Sequence, residues 1–306
     1  MPSYAETLIL LSVLAAVFAS LPLALLGKRL LATRLAVITV LLPPLLCQSG
    51  LDAPEEWRTQ PPPVKEWSRA DGWFALVLAV MVAVLLGPVS MLLMMKTGGG
   101  EEGPKVAYTS SLFVTQIVFQ AGVIGLVMMW LVGVRKFNAV RLFGLKERSL
   151  LMTPLLALFY LLIAWGAVAL IANVLMPLMQ KLTGMELKQQ GLVQSMSDIE
   201  SPTTRVLMVI TLCVGAPLME ELIFRGVIYR VTARFTHPAY ANAASSLLFG
   251  VIHNNLLSLI PLTVLGMFLA EAYRHSRSLA VPVLMHAMFN GISFLLLTYG
   301  PPELRE

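Results

Sequence analysis

Three short clusters in the second half of this 306-residue chain combine residue types that can move protons and stabilise charge. Glu220-Glu221-Leu222-Ile223-Phe224-Arg225 sets two carboxylates near a guanidinium, and Phe249-Gly250-Val251-Ile252-His253 sets an imidazole one turn beyond an aromatic ring. His286-Ala287-Met288-Phe289-Asn290 sets an imidazole and a carboxamide four residues apart. A carboxylate can take a proton from water, an imidazole can orient that water, and an imidazole with an amide can donate to a developing oxyanion. On a helix, Glu221 and Arg225 share a face and can pair, while Glu220 points about 100° away. One carboxylate is thus neutralised and the other left available.

Each cluster alone has an ordinary structural reading. The Glu221–Arg225 spacing fits an i,i+4 salt bridge at a helix end, worth a few tenths of a kcal/mol. His253 fits a packed, hydrogen-bonded core residue, and His286 with Asn290 fits an interhelical hydrogen bond. Depth argues for a shared role. At a rise of about 1.5 Å per residue, Glu220 lies about 15 Å from Arg230, His253 about 20 Å from Tyr240 and His286 about 12 Å from Ser278. Independent structural residues have no reason to share one layer.

The elements that must position these clusters are membrane helices. Hydrophobic residues make up 57% of the chain and charged ones 13%, with a mean hydropathy of +0.78, whereas soluble domains carry roughly 25% charged residues. The apolar residues fall in blocks of about 20, enough to cross the hydrocarbon core. Spans are predicted near 7–26, 73–95, 111–134, 151–176, 205–224, 240–258, 259–273 and 279–299, with a further stretch at 31–47 interrupted by Arg34 and Pro43-Pro44. The fold class is therefore all-α, a polytopic transmembrane bundle of about eight helices. Residues 49–72, with Pro61-Pro62-Pro63 and several charges, read as a polar linker, and 97–104 as a glycine-rich loop.

The net charge of +5 comes from basic residues between the apolar blocks, a pattern of membrane orientation and not of nucleic-acid binding. The loops 135–148, 225–237 and 274–277 are basic and fall on one side, which the positive-inside rule makes cytoplasmic. The run Thr7–Leu26 lacks a basic n-region and is longer than a signal peptide's, so it reads as an uncleaved first helix. Cys47 and Cys213 lie in or beside apolar blocks, and no Cys/His metal spacing is present.

The series Glu-Glu-x-x-x-Arg, Phe-x-x-x-His and His-x-x-x-Asn, about 30 residues apart and preceded by Ser278-Leu279-Ala280-Val281-Pro282 before the last motif, resembles the CPBP family of intramembrane CAAX-type proteases. The likeness runs from about Thr203 to Tyr299. It divides the chain into 1–140, N-terminal transmembrane helices without resemblance, and 141–306, a catalytic transmembrane core. The resemblance implies a helical bundle around a hydrophilic cavity open to the cytoplasm and a glutamate-type endopeptidase. It gives Glu220 the role of general base, His253 that of its partner on the attacking water, and His286 with Asn290 that of oxyanion donors. Glu221 and Arg225 become the supporting ion pair and Phe249 packing, with no metal and no cofactor. Glu271, near the basic loop, is read as an interfacial residue or a partner of Arg274 or His275.

Other readings use the same residues. Glu220, His253 and His286 are ligand types that a catalytic zinc accepts, although the His-Glu-x-x-His helix is missing. A non-catalytic immunity or scaffold protein, or a transporter with a polar midplane layer, would also carry polar groups in apolar helices. The expected partners are the lipid bilayer and a peptide or membrane-protein substrate. The expected location is a bacterial cytoplasmic membrane.

Overall fold

The protein is described from a computed structural model, which covers residues 67–81, 109–175, 201–253 and 256–299 together with positions 177, 178, 181 and 199. The expected spans 7–26 and 31–47, the loop 97–104 and Cys47 lie outside the described residues. Among the described residues every regular element is helical. A helix runs through 69–81 (α1), so the last residues of the expected linker are already helical. It is followed by α2 (Ser110–Val134), the short α3 (Ala139–Leu142), α4 (Met152–Leu170, continued by Ile171–Leu175), α5 (Pro202–Phe235), α6 (Pro238–Val251), α7 (Leu256–Ser276) and α8 (Ala280–Tyr299).

Local chemistry sets the helix starts. Thr109, Asn138 and Ser201 accept from backbone N–H groups three residues on, and His237 Nδ1 accepts from Ala239 N–H. Pro202 and Pro238 occupy first-turn positions where a missing N–H costs nothing. Among the described residues three helices, α2, α4 and α5, are long and apolar enough to cross a membrane. On α2 and α4 large apolar side chains such as Val118, Met129, Phe159 and Leu162 are exposed, as a lipid-facing helix requires.

α5 is the central helix, buried on all sides from Met219 to Thr232. It extends eleven residues beyond the expected 205–224 span because its charged side chains find partners inside the bundle. Arg230, 7% exposed, donates to the Leu142 carbonyl and lies over the rings of Trp67 and Tyr273. Hydropathy places the break between the next two helices at 258, whereas α6 ends at Val251 and His253 sits in the turn beyond it. α6 and α7 cross closely through small residues. A Cβ on Gly250 would lie 2.7 Å from the Leu259 carbonyl oxygen, and one on Gly266 would lie 3.0 Å from Ser246 Cβ.

The loops around 135–149 and 274–279 interlock at one end of the bundle. Leu279 N–H donates to the Phe143 carbonyl (2.8 Å), and Arg148 Nε and Nη2 donate to the carbonyls of Ser276 (2.8 Å) and His275 (3.1 Å). Gly144 has φ +61°, and a Cβ there would meet the Arg277 carbonyl oxygen at 1.8 Å. The Arg230 bond to Leu142 brings α5 to the same end. Glu271 lies near it and pairs with both expected neighbours, Arg274 (2.7 Å) and His275 (3.4 Å), while also accepting from Asn242 Nδ2 (2.9 Å).

Candidate active site

The three motif clusters meet around the buried part of α5. Arg225, wholly buried, donates from Nη1 to Glu221 Oε1 (2.7 Å) and from Nη2 to the Gly266 carbonyl of α7 (2.7 Å). Its guanidinium also lies 5.1 Å from the Phe249 ring centroid and 5.9 Å from that of Phe224. This is a mid-helix buried pair, unlike the helix-end salt bridge that its spacing alone suggests. The close α6–α7 crossing is what brings the Gly266 carbonyl within reach of the guanidinium.

Glu221 Oε1 is also bonded to His286 Nδ1 of α8 at 2.9 Å. Because a carboxylate only accepts, Nδ1 carries the proton and His286 Nε2 is turned to the other side. There it stands 3.9 Å from Glu220 Oε2, too far for a hydrogen bond. Glu220 is 9% exposed, and its Oε2 is buried without a hydrogen-bond partner. The two neighbouring glutamates therefore sit at opposite nitrogens of one imidazole, one bonded and one with accepting capacity to spare.

Phe249 lies between the two histidines, with ring centroids 5.6 Å from His286 and 5.0 Å from His253. His253 Nδ1 is 2.7 Å from the Phe249 carbonyl oxygen, so it donates there and leaves Nε2 as an acceptor. Glu220, Glu221, Arg225, Phe249 and His286 thus form one continuous cluster, and His253 joins it through Phe249. Asn290, one turn beyond His286, donates from Nδ2 to the Leu212 carbonyl of α5 at 2.9 Å. Among the described residues, no group of three or more His, Cys, Asp or Glu is arranged to hold a metal ion.

Residues that motif spacing does not reveal support this cluster. Gln120 of α2, 2% exposed, donates to the Thr211 carbonyl (3.4 Å), and a Cβ on Gly215 would strike its Oε1 at 1.9 Å. A glutamine inside an apolar span is itself a signal in the sequence, but its partner is 91 residues away. Gly266 contributes through its backbone carbonyl, which no side-chain motif announces.

Comparison with known proteins shows what the segment carrying this cluster is similar to. Residues 202–292 match the family model described as Type II CAAX prenyl endopeptidase Rce1-like. The chain is 33% identical over 84 residues to YdiL of Bacillus subtilis (strain 168), named as a membrane peptidase, a match covering 28% of this chain and 34% of that protein. It is 29% identical over 96 residues to the membrane-embedded CAAX protease MroQ of Staphylococcus aureus (strain USA300), covering 29% of this chain and 39% of the relative. The matches thus span between a third and two fifths of the length of these curated relatives. No solved structure matches the chain. Residues 202–292, which hold all three motif clusters, are thus similar to an Rce1-like CAAX endopeptidase domain and to segments of two bacterial membrane peptidases.

Proposed function

We propose that the protein is a multi-pass intramembrane endopeptidase in which Glu220 activates water to hydrolyse a peptide bond. The observation that carries this reading is the buried Glu220 Oε2, which accepts no hydrogen bond and stands 3.9 Å from an imidazole fixed from behind by Glu221 and Arg225. Glu220 takes a proton from water as the water oxygen bonds to the scissile carbonyl carbon, then passes that proton to the departing amine as the C–N bond breaks. His253, whose Nδ1–H is held by the Phe249 carbonyl, offers Nε2 to the same water. His286, when doubly protonated, presents Nε2–H to the developing oxyanion while Nδ1–H stays on Glu221. A preorganised donor of this kind contributes about 10²–10³-fold in rate.

The substrate is a peptide or a segment of a membrane protein, reached from the end of the bundle where the basic loops interlock, in a bacterial cytoplasmic membrane. The CAAX specificity named for MroQ is that protein's; here it suggests the class of bond to be tested. The experiment compares protein termini in membranes carrying the wild-type chain and the Glu220→Gln variant, followed by assay of the purified protein on the substrate so found. Glu220→Gln keeps the side-chain shape but cannot take the proton, and cleavage is expected to vanish. Full activity in Glu220→Gln refutes the reading. Activity lost with a chelator and regained with stoichiometric zinc would replace it by a metalloprotease using the same Glu and His side chains.

A further inference from the structure

Pro217 stands three residues before Glu220 in α5. The turn ahead of it, Thr211–Gly215, is wound wide, and the Ala216 N–H closes it on the Thr211 carbonyl, five residues back. By the same spacing the Leu212 carbonyl looks to residue 217 for its donor, and proline has none. A buried carbonyl left unpaired is costly, more so in a membrane. The donor comes from another helix, as Asn290 Nδ2 of α8 meets Leu212 O at 2.9 Å. On the other side of the turn Gln120 Nε2 reaches the Thr211 carbonyl, in space kept open because residue 215 is glycine.

We propose that Asn290 is a positioning residue whose carboxamide supplies the N–H that Pro217 lacks, pinning the wide turn that aims Glu220 at His286. A wide turn holds one more residue than a regular α-turn, and relaxing it by one residue would rotate everything beyond it by about 100°. Glu220, five residues after Gly215, would be carried away from the His286 side. The same bond fixes the distance between α5 and α8. It lies one turn from His286 on α8, so Asn290–Leu212 and His286–Glu221, both at 2.9 Å, are two rungs between the same pair of helices. The family resemblance gives Asn290 a direct part in holding the oxyanion, and Pro217 separates the two roles. An N–H restored at position 217 replaces a clamp but cannot replace an oxyanion donor.

The test is a double-mutant cycle of Asn290→Ala and Pro217→Ala in the full chain, read by thermal midpoint in detergent and by the kinetics of Glu220-dependent cleavage well below that midpoint. In the wild-type background Asn290→Ala is expected to lower the midpoint and to lower kcat by about tenfold with KM nearly unchanged, as expected from one unpaired buried carbonyl. In the Pro217→Ala background the same change is expected to leave the midpoint unmoved and to lower kcat by less than about threefold. Equal kcat losses in both backgrounds, or no kcat loss from Asn290→Ala alone, would overturn the proposal. If Pro217→Ala does not fold, Pro217→Ser supplies the same N–H. The kinetic arm rests on the endopeptidase reading, whereas the midpoint arm needs no substrate. Additive midpoints therefore overturn the clamp by themselves, and coupled midpoints sustain it even if the cleavage reading fails.

Discussion

Replacing Glu221 by alanine should damage the fold far more than replacing its neighbour Glu220. Glu221 and Arg225 are both wholly buried, 2.7 Å apart, within the part of α5 that has no surface. Glu221→Ala leaves the guanidinium hydrogen-bonded to the Gly266 carbonyl and packed on two aromatic faces, without its close carboxylate partner, and it removes the acceptor of His286 Nδ1. Breaking one side of a buried ion pair costs about 3–5 kcal/mol. Glu220 offers little to lose, since its Oε2 makes no hydrogen bond and stands 3.9 Å from the His286 imidazole. Its truncation should cost about 1 kcal/mol or less. In a thermal-unfolding scan in mild detergent these figures correspond to a drop of roughly 10 °C for Glu221→Ala and of roughly 3 °C at most for Glu220→Ala. The Glu221→Met/Arg225→Leu double variant should cost no more than Glu221→Ala alone, because it leaves no buried charge unpaired. Equal midpoints for the two alanine variants would refute the division of labour between the glutamates.

Two further outcomes follow from the packing. Gly250→Ala should destabilise the protein by about 1–3 kcal/mol, because its Cβ would press on the α7 backbone at Leu259 O. Gly122→Ala, with nothing within 4 Å of the new methyl, should be neutral or raise the midpoint by the helix propensity of up to about 1 kcal/mol; unfolding scans of the two variants check both. The interlocked basic end is expected to face the cytoplasm. In a chain whose own cysteines are replaced, Lys146→Cys and Arg277→Cys should stay unlabelled by an impermeant thiol reagent in intact cells, and labelling from outside would reverse the orientation.

The sequence by itself determined the helical class and which segments are apolar enough to lie in a membrane, because both depend on neighbours a few residues apart. It also determined the Glu221–Arg225 pair, set by one helical turn, and the three motifs that carry the likeness to CAAX-type proteases. Spans 111–134 and 151–176 lie within about a residue of the helices observed. Where charge enters an apolar run, hydropathy loses its guidance. It ended α5 at 224, since it could not know that Arg225 would meet Gly266 and Arg230 would meet Leu142. It likewise carried the next helix to 258, past the turn that holds His253. Only the tertiary structure decided that one imidazole stands between the two adjacent glutamates, that Asn290 bonds the Leu212 carbonyl, and that Gln120 enters from α2. The partners involved are 65, 78 and 91 residues apart. A hydrogen bond across such a separation depends on how helices cross, and here the crossing is set by small residues such as Gly215, Gly250 and Gly266, whose fit against a neighbouring helix no local pattern contains.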